Sequence, residues 1–151
     1  MTKNLKTNLP DGKIKLFLVD DDAVYLKLME IEFHQHGDFE IETYPTGEMC
    51  LKNLSHNPDV VILDFYLDGV DESAMNGIET LDKIKVENPN IPVVMLSSQD
   101  KIDIAISCMH HGAFDYVVKS ETAFVRLQKI ITAIFELKKI EKQLNWYMDR
   151  M

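Results

Sequence analysis

Ile14-Lys15-Leu16-Phe17-Leu18-Val19-Asp20-Asp21-Asp22 is a nearly continuous apolar run that stops in three consecutive carboxylates. A run of this kind reads as a buried strand of the type found in parallel sheets. A second run, Val60-Val61-Ile62-Leu63, ends in Asp64. Two hydrophobic strands that close on acids place those acids at one edge of a sheet. Like charges packed together repel and raise each other's pKa, so the cluster works against stability. It makes sense where a divalent cation or a phosphoryl group is to sit.

Outward from these two strands the chain alternates. Asp22 is placed to cap a helix over 23–35, with Leu26, Met29, Ile31 and Phe33 among its apolar positions. Residues 39–44 alternate as a half-buried strand, and Thr46 is placed to cap a short helix through residue 54. A polar, glycine-containing loop over 65–75 precedes a helix over 76–87, which stops before Pro89. A fourth strand is expected over 92–96, a helix over 100–111 ended by Gly112, and a fifth strand over 114–118. Ser120 is expected to cap the final helix. This alternation implies an α/β fold, a five-stranded parallel sheet covered on both faces through right-handed crossovers. In such sheets the ligand lies beyond the carboxyl ends of the strands. Asp20, Asp21, Asp64, Ser97 and Lys119 all fall at or just after those ends.

The bulk properties narrow the function. A length of 151 residues fits one domain with a sizeable core. A net charge of −9 argues against direct binding of nucleic acid, which calls for clustered lysine and arginine. No stretch approaches the ~18 consecutive apolar residues of a membrane span, and residues 1–13 lack an apolar signal core. We expect a soluble cytoplasmic protein without a membrane partner. Cys50 and Cys108, without CxxC spacing, read as reduced buried thiols. His34, His36, His110 and His111 lack the spacing that puts two rings on one helix face for zinc.

Val19-Asp20-Asp21, Leu63-Asp64, Leu96-Ser97-Ser98 and Tyr116-Val117-Val118-Lys119, in that order, resemble the marks of a response-regulator receiver domain. The resemblance covers roughly residues 14–137. It implies a flavodoxin-like three-layer sandwich with strand order 2-1-3-4-5. It implies that Asp64 takes a phosphoryl group from a histidine kinase or phosphotransfer protein, with Mg²⁺ held by Asp21, Asp64 and the backbone carbonyl of Tyr66, and Asp20 acting through water. Lys119 and the Ser97 hydroxyl would bind phosphoryl oxygens, with the Ser98 N–H donating to another, and Tyr116 would take part in the switch. A carboxylate can accept the group without a base if the phosphorus is held in line and its charge neutralised. The chain is expected not to be an enzyme. A phosphorylation-independent adapter with the same fold is the alternative. A Mg²⁺-dependent phosphatase with an aspartate nucleophile would carry a second aspartate where Tyr66 stands.

Two departures from the family pattern stand out. With Asn76-Gly77 as the counterpart of the family's Asp-Gly pair, about five residues are inserted after Asp64 and the usual proline is missing. Asp68, Asp71 and Glu72 add negative charge there. Ser120 stands where the family has a proline with a cis bond. The last helix also outruns the sheet. Leu127, Ile130, Ile134, Leu137, Leu144, Met148 and Met151 follow steps of three and four, interrupted by Glu141. We therefore divide the chain into a flexible leader over 1–12, a receiver domain over 13–137 and a helical extension over 138–151. The extension is expected to pair with a second copy, to lead into an output domain or partner, or to fold back on its own domain.

Overall fold

The computed structural model describes residues 13–69 and 73–151, so the leader over 1–12 and the acids Asp71 and Glu72 lie outside the described residues. The elements are β1 (Ile14–Val19), α1 (Ala23–His36), β2 (Phe39–Tyr44), α2 (Gly47–Lys52), β3 (Val60–Asp64), α3 (Gly77–Glu87), β4 (Val93–Ser97), α4 (Ile102–His110), β5 (Asp115–Val118) and α5 (Ala123–Arg150). The strands form one parallel sheet in the order β2-β1-β3-β4-β5. This is the flavodoxin-like three-layer architecture.

The period of two along β1 explains the layers. Leu16 and Leu18 join Phe33 of α1 and Leu127, Ile131 and Ile134 of α5 in one apolar layer. Phe17 and Val19 point the other way, to Cys50 of α2, Leu81 and Ile84 of α3 and Cys108 of α4. Both cysteines are buried and free. Burial pushes the Cys50 thiol up to about 12 and the Cys108 thiol up to about 11.

Local signals set most helix starts. The Asp22 carboxylate accepts from the Val24 and Tyr25 N–H groups at 3.0 and 3.1 Å. Thr46 Oγ1 accepts from Met49 N–H at 3.2 Å, and Asn76 Oδ1 from Glu79 N–H at 2.9 Å. Gly112 takes a φ of +96° just past α4, a conformation natural to glycine.

Three expectations need correction. Ile31 is 44% exposed while Phe33 is fully buried, because two residues two apart face nearly opposite sides of a helix. Ser120 is not the cap of α5. Its Oγ accepts from Thr122 N–H at 3.3 Å within a turn, and the helix begins at Ala123. Helix α4 begins at Ile102, two residues later than expected, with no side-chain cap.

Helix α5 runs unbroken for 28 residues. Ala123, Leu127, Ile131, Ile134 and Phe135 are buried against the sheet, whereas Ile140, Leu144, Trp146 and Met148 are exposed. The extension therefore continues as helix and does not fold back. Among the described residues no helix is long and apolar enough to cross a membrane.

Candidate functional site

Strands β1 and β3 lie side by side with Val19 opposite Leu63. The residues that follow, Asp20 and Asp64, therefore meet at the carboxyl edge of the sheet, and Asp21 joins them from the bend before α1. Carboxylate oxygens of all three lie within 4.8 Å of one another. Asp20 and Asp64 are only 3% and 4% exposed.

Lys119 closes the group from β5. Its backbone N–H donates to the Ser97 carbonyl at 2.7 Å, which continues the β4–β5 pairing one residue beyond Val118. The ammonium Nζ lies 2.7 Å from Asp20 Oδ2 and 3.6 Å from Asp64 Oδ2. Among the described residues there is no cis peptide bond, so Lys119–Ser120 is trans and the lysine still reaches both acids.

The electrostatics follow from this crowding. Asp64 is pushed up to about 7, first by burial and next by the Asp20 charge, against the opposing pull of Lys119 and the Tyr66 N–H. Burial alone would lower Lys119. The hydrogen bond to Asp20 and the charges of Asp64 and Asp20 outweigh it and raise the lysine. One ammonium is shared by the buried Asp20 and Asp64, with Asp21 beside them, so the carboxylates outnumber the cation. Asp20 Oδ2 is buried with no hydrogen bond of normal geometry beyond that ion pair. Hard, anionic oxygens left in this condition fit a divalent cation such as Mg²⁺.

The other expected residues fall nearby. Tyr66 is exposed, and its N–H donates to Asp64 Oδ1 at 3.3 Å. Ser97 is fully buried at the end of β4, and its Oγ accepts from Gln99 N–H at 3.1 Å, whereas Ser98 is exposed. The half-buried Tyr116 donates its hydroxyl to the Gln99 carbonyl. Ser97 and Tyr116 thus converge on the two backbone groups of one residue in the β4–α4 turn. Ile104 packs on the core beside Tyr116, whereas Met109 faces outward.

Sequence reasoning missed two contributors. The Tyr25 ring, in the first turn of α1, has Lys119 Nζ 4.5 Å from its centroid. A faint signal existed: Tyr25 stands three residues after the capping Asp22, the spacing that keeps two helix residues on one face. Gly77 was read only as a landmark. A Cβ there would lie 2.5 Å from the Asp64 carbonyl oxygen and 2.7 Å from Phe65 backbone atoms. Glycine is what lets α3 start against the end of β3. This close approach also supports pairing Asn76-Gly77 with the family's Asp-Gly.

Residues 16–133 match the response regulator receiver domain. The chain belongs to this family. A protein-glutamate methylesterase/protein-glutamine glutaminase 2 of Rhodopseudomonas palustris is 39% identical over 114 residues, 74% of this chain and 30% of that protein. The nitrogen assimilation regulatory protein NtrX of Azorhizobium caulinodans is 33% identical over 131 residues, 86% of this chain and 28% of that protein. Among solved structures, the receiver domain of NtrX from Brucella abortus superposes with a TM-score of 0.70 at 29% identity, covering 80% of this chain and 98% of that chain. The CheX-CheY-BeF3-Mg complex from Borrelia burgdorferi gives 0.70 at 26% identity, covering 81% and 89%.

The expectation that no enzyme is involved is corrected by these relatives. Proteins 34–39% identical to this receiver are named protein-glutamate methylesterase/protein-glutamine glutaminase, and those are enzymes. The receiver spans about a third of their length, 29–32%. The matched residues are receiver residues, and nothing in a receiver's own motif distinguishes relatives that are named enzymes from those that are not.

Proposed function

We propose that this receiver accepts a phosphoryl group on Asp64 from a histidine kinase or phosphotransfer protein in the cytoplasm and relays the event through its β4–α4–β5 region. The observation that supports this best is the placement of the Asp64 carboxylate between two acids and an ammonium. In the transfer, an Asp64 carboxylate oxygen forms a bond to phosphorus while the donor's N–P bond breaks, and the histidine nitrogen keeps the electron pair. Asp21, Asp64 and the Tyr66 carbonyl would hold Mg²⁺, with Asp20 acting through water. When bound, the ion neutralises charge on the phosphoryl oxygens.

The chain's own groups do the rest. Lys119 supplies an ammonium 3.6 Å from Asp64, close enough to follow phosphoryl oxygens. Burial of Asp64 limits the access of water. Ser97 is drawn toward the phosphoryl group, with the exposed Ser98 N–H as a further donor. Movement of Ser97 disturbs the turn at Gln99, where Tyr116 is also anchored. Such a switch needs two packings within a few kcal/mol of each other.

Receiver domain over 13–137 and extension over 138–151 remain our division of the chain, with the extension leading to a second copy or an output partner. The test is the intact mass after incubation with Mg²⁺ and acetyl phosphate. Wild type gains one phosphoryl group and Asp64→Asn gains none. An equal adduct on both proteins overturns the reading; no adduct on wild type leaves a receiver strictly dependent on its kinase or a phosphorylation-independent adapter.

A further inference from the structure

We propose that Tyr25 is a positioning residue for Lys119, holding its ammonium in a partly buried, movable position from which it passes from Asp20 to the arriving phosphoryl group. The inference rests on the reading of Asp64 as acceptor. Lys119 Nζ has Asp20 at 2.7 Å and Asp64 at 3.6 Å on one side and the Tyr25 ring at 4.5 Å on the other. That distance lies within the ~6 Å over which an aromatic face attracts a cation.

The ring's place is fixed locally. The Tyr25 N–H donates to the capping carboxylate of Asp22 at 3.1 Å, so the first turn of α1 sets where the side chain starts. The ring is half-buried and packs on the layer that contains Leu18, Met29 and Leu96. Burial raises the phenol above its ordinary value, with Lys119 opposing, so the ring stays neutral and adds no competing anion.

The chemistry explains why a ring suits this place. In the resting site the ammonium is bound to Asp20. To serve the transfer it must loosen that bond and approach new anionic oxygens near Asp64. A third carboxylate would trap it, and a purely apolar neighbour would give nothing in return for the lost hydration. An aromatic face attracts the cation without a fixed bond direction, so the attraction persists while Nζ shifts. Tyr25 need not touch the phosphoryl group for this; it acts through Lys119.

The experiment compares wild type, Tyr25→Leu, Tyr25→Phe, Lys119→Gln and the Tyr25→Leu/Lys119→Gln double variant. The first readout is the rate of phosphoryl uptake from acetyl phosphate at saturating Mg²⁺, and the second is Mg²⁺ affinity by calorimetry. Tyr25→Leu is expected to slow uptake roughly three- to thirty-fold, the range a cation–π contact supports, with Mg²⁺ affinity within about twofold. Tyr25→Phe recovers most of the loss because it keeps the ring. In the Lys119→Gln background Tyr25→Leu has no further effect, since the two act as one unit. The role is overturned if Tyr25→Leu matches wild type, if Tyr25→Phe is as slow as Tyr25→Leu, or if the two losses multiply in the double variant. An equal loss of Mg²⁺ affinity overturns it too, as a general disturbance of the site. Uptake that persists undiminished in Asp64→Asn overturns the acceptor reading itself, and this role with it. An upfield ring-current shift of the Lys119 Cε protons, present in wild type and Tyr25→Phe and lost in Tyr25→Leu, checks the placement without any phosphoryl transfer.

Discussion

Asp64 is an unfavourable residue for the fold in the absence of a cation. Its carboxyl is pushed up to about 7 by burial and by Asp20, so the folded protein binds a proton that the unfolded chain has released. Across that window the native state holds more protons, and stability falls as pH rises from about 4 toward neutrality. We expect the Tm of metal-free protein to be higher at pH 5.5 than at pH 7.5. Asp64→Asn should flatten that difference and raise Tm at pH 7.5, as followed by calorimetry. A difference as steep in Asp64→Asn as in wild type would place its origin elsewhere. The aspartates at the strand ends were legible in the sequence because each closes an apolar run. Tyr25 was not, since a tyrosine in a helix gains meaning only when β5, ninety-odd residues later, brings Lys119 across to it.

Among the elements, α3 and α5 carry the testable consequences. Helix α3 begins so close to β3 that Gly77 has no room for a side chain. Gly77→Val must push the helix away from Asp64 and Phe65. Overpacking of this kind costs ~1–3 kcal/mol, so Tm should drop by several degrees and Mg²⁺ affinity should weaken along with it. Retention of both in Gly77→Val would show that the junction yields freely. For α5, the exposed apolar series from Leu137 through Leu144 and Met148 suits a second copy. Sedimentation should show a concentration-dependent dimer, weakened roughly tenfold or more by Leu144→Glu; a monomer at all concentrations would remove this role. Caps at Asp22 and Thr46 were readable from local chemistry, whereas Asn76, expected as the first residue of its helix, proves to be the cap. The start of α5 was not, because Ser120 and Thr122 are equally plausible caps in sequence and the turn between them decides. The outward face of Ile31 was hidden for a similar reason: α1 has apolar residues around much of its circumference, and only packing selects the buried ones.

For the molecule as a whole, parallel strands do the organising. Every strand ends at the same edge, so residues far apart in the chain reach one site without further instruction. That made the parallel sheet and the acid cluster legible once strand and helix were seen to alternate, while the strand order followed from the family resemblance. What the alternation could not convey is how the longer loop after β3 is accommodated. There Leu67 is fully buried in the core and Met75 N–H is held by the Glu48 carboxylate at 3.1 Å, two contacts that anchor the loop on either side of its tip.

The unbroken run of α5 has a mechanical consequence. At 1.5 Å per residue its 28 residues measure about 42 Å, and its first turn begins four residues after Lys119. The helix is a lever held by the core as far as Phe135, with its load at Trp146 and Met148. A tilt of about 5° where it leaves the core, about 15 residues before its end, carries the tip through roughly 2 Å. A displacement of that size is enough to change which side chains meet across a contact at the far end.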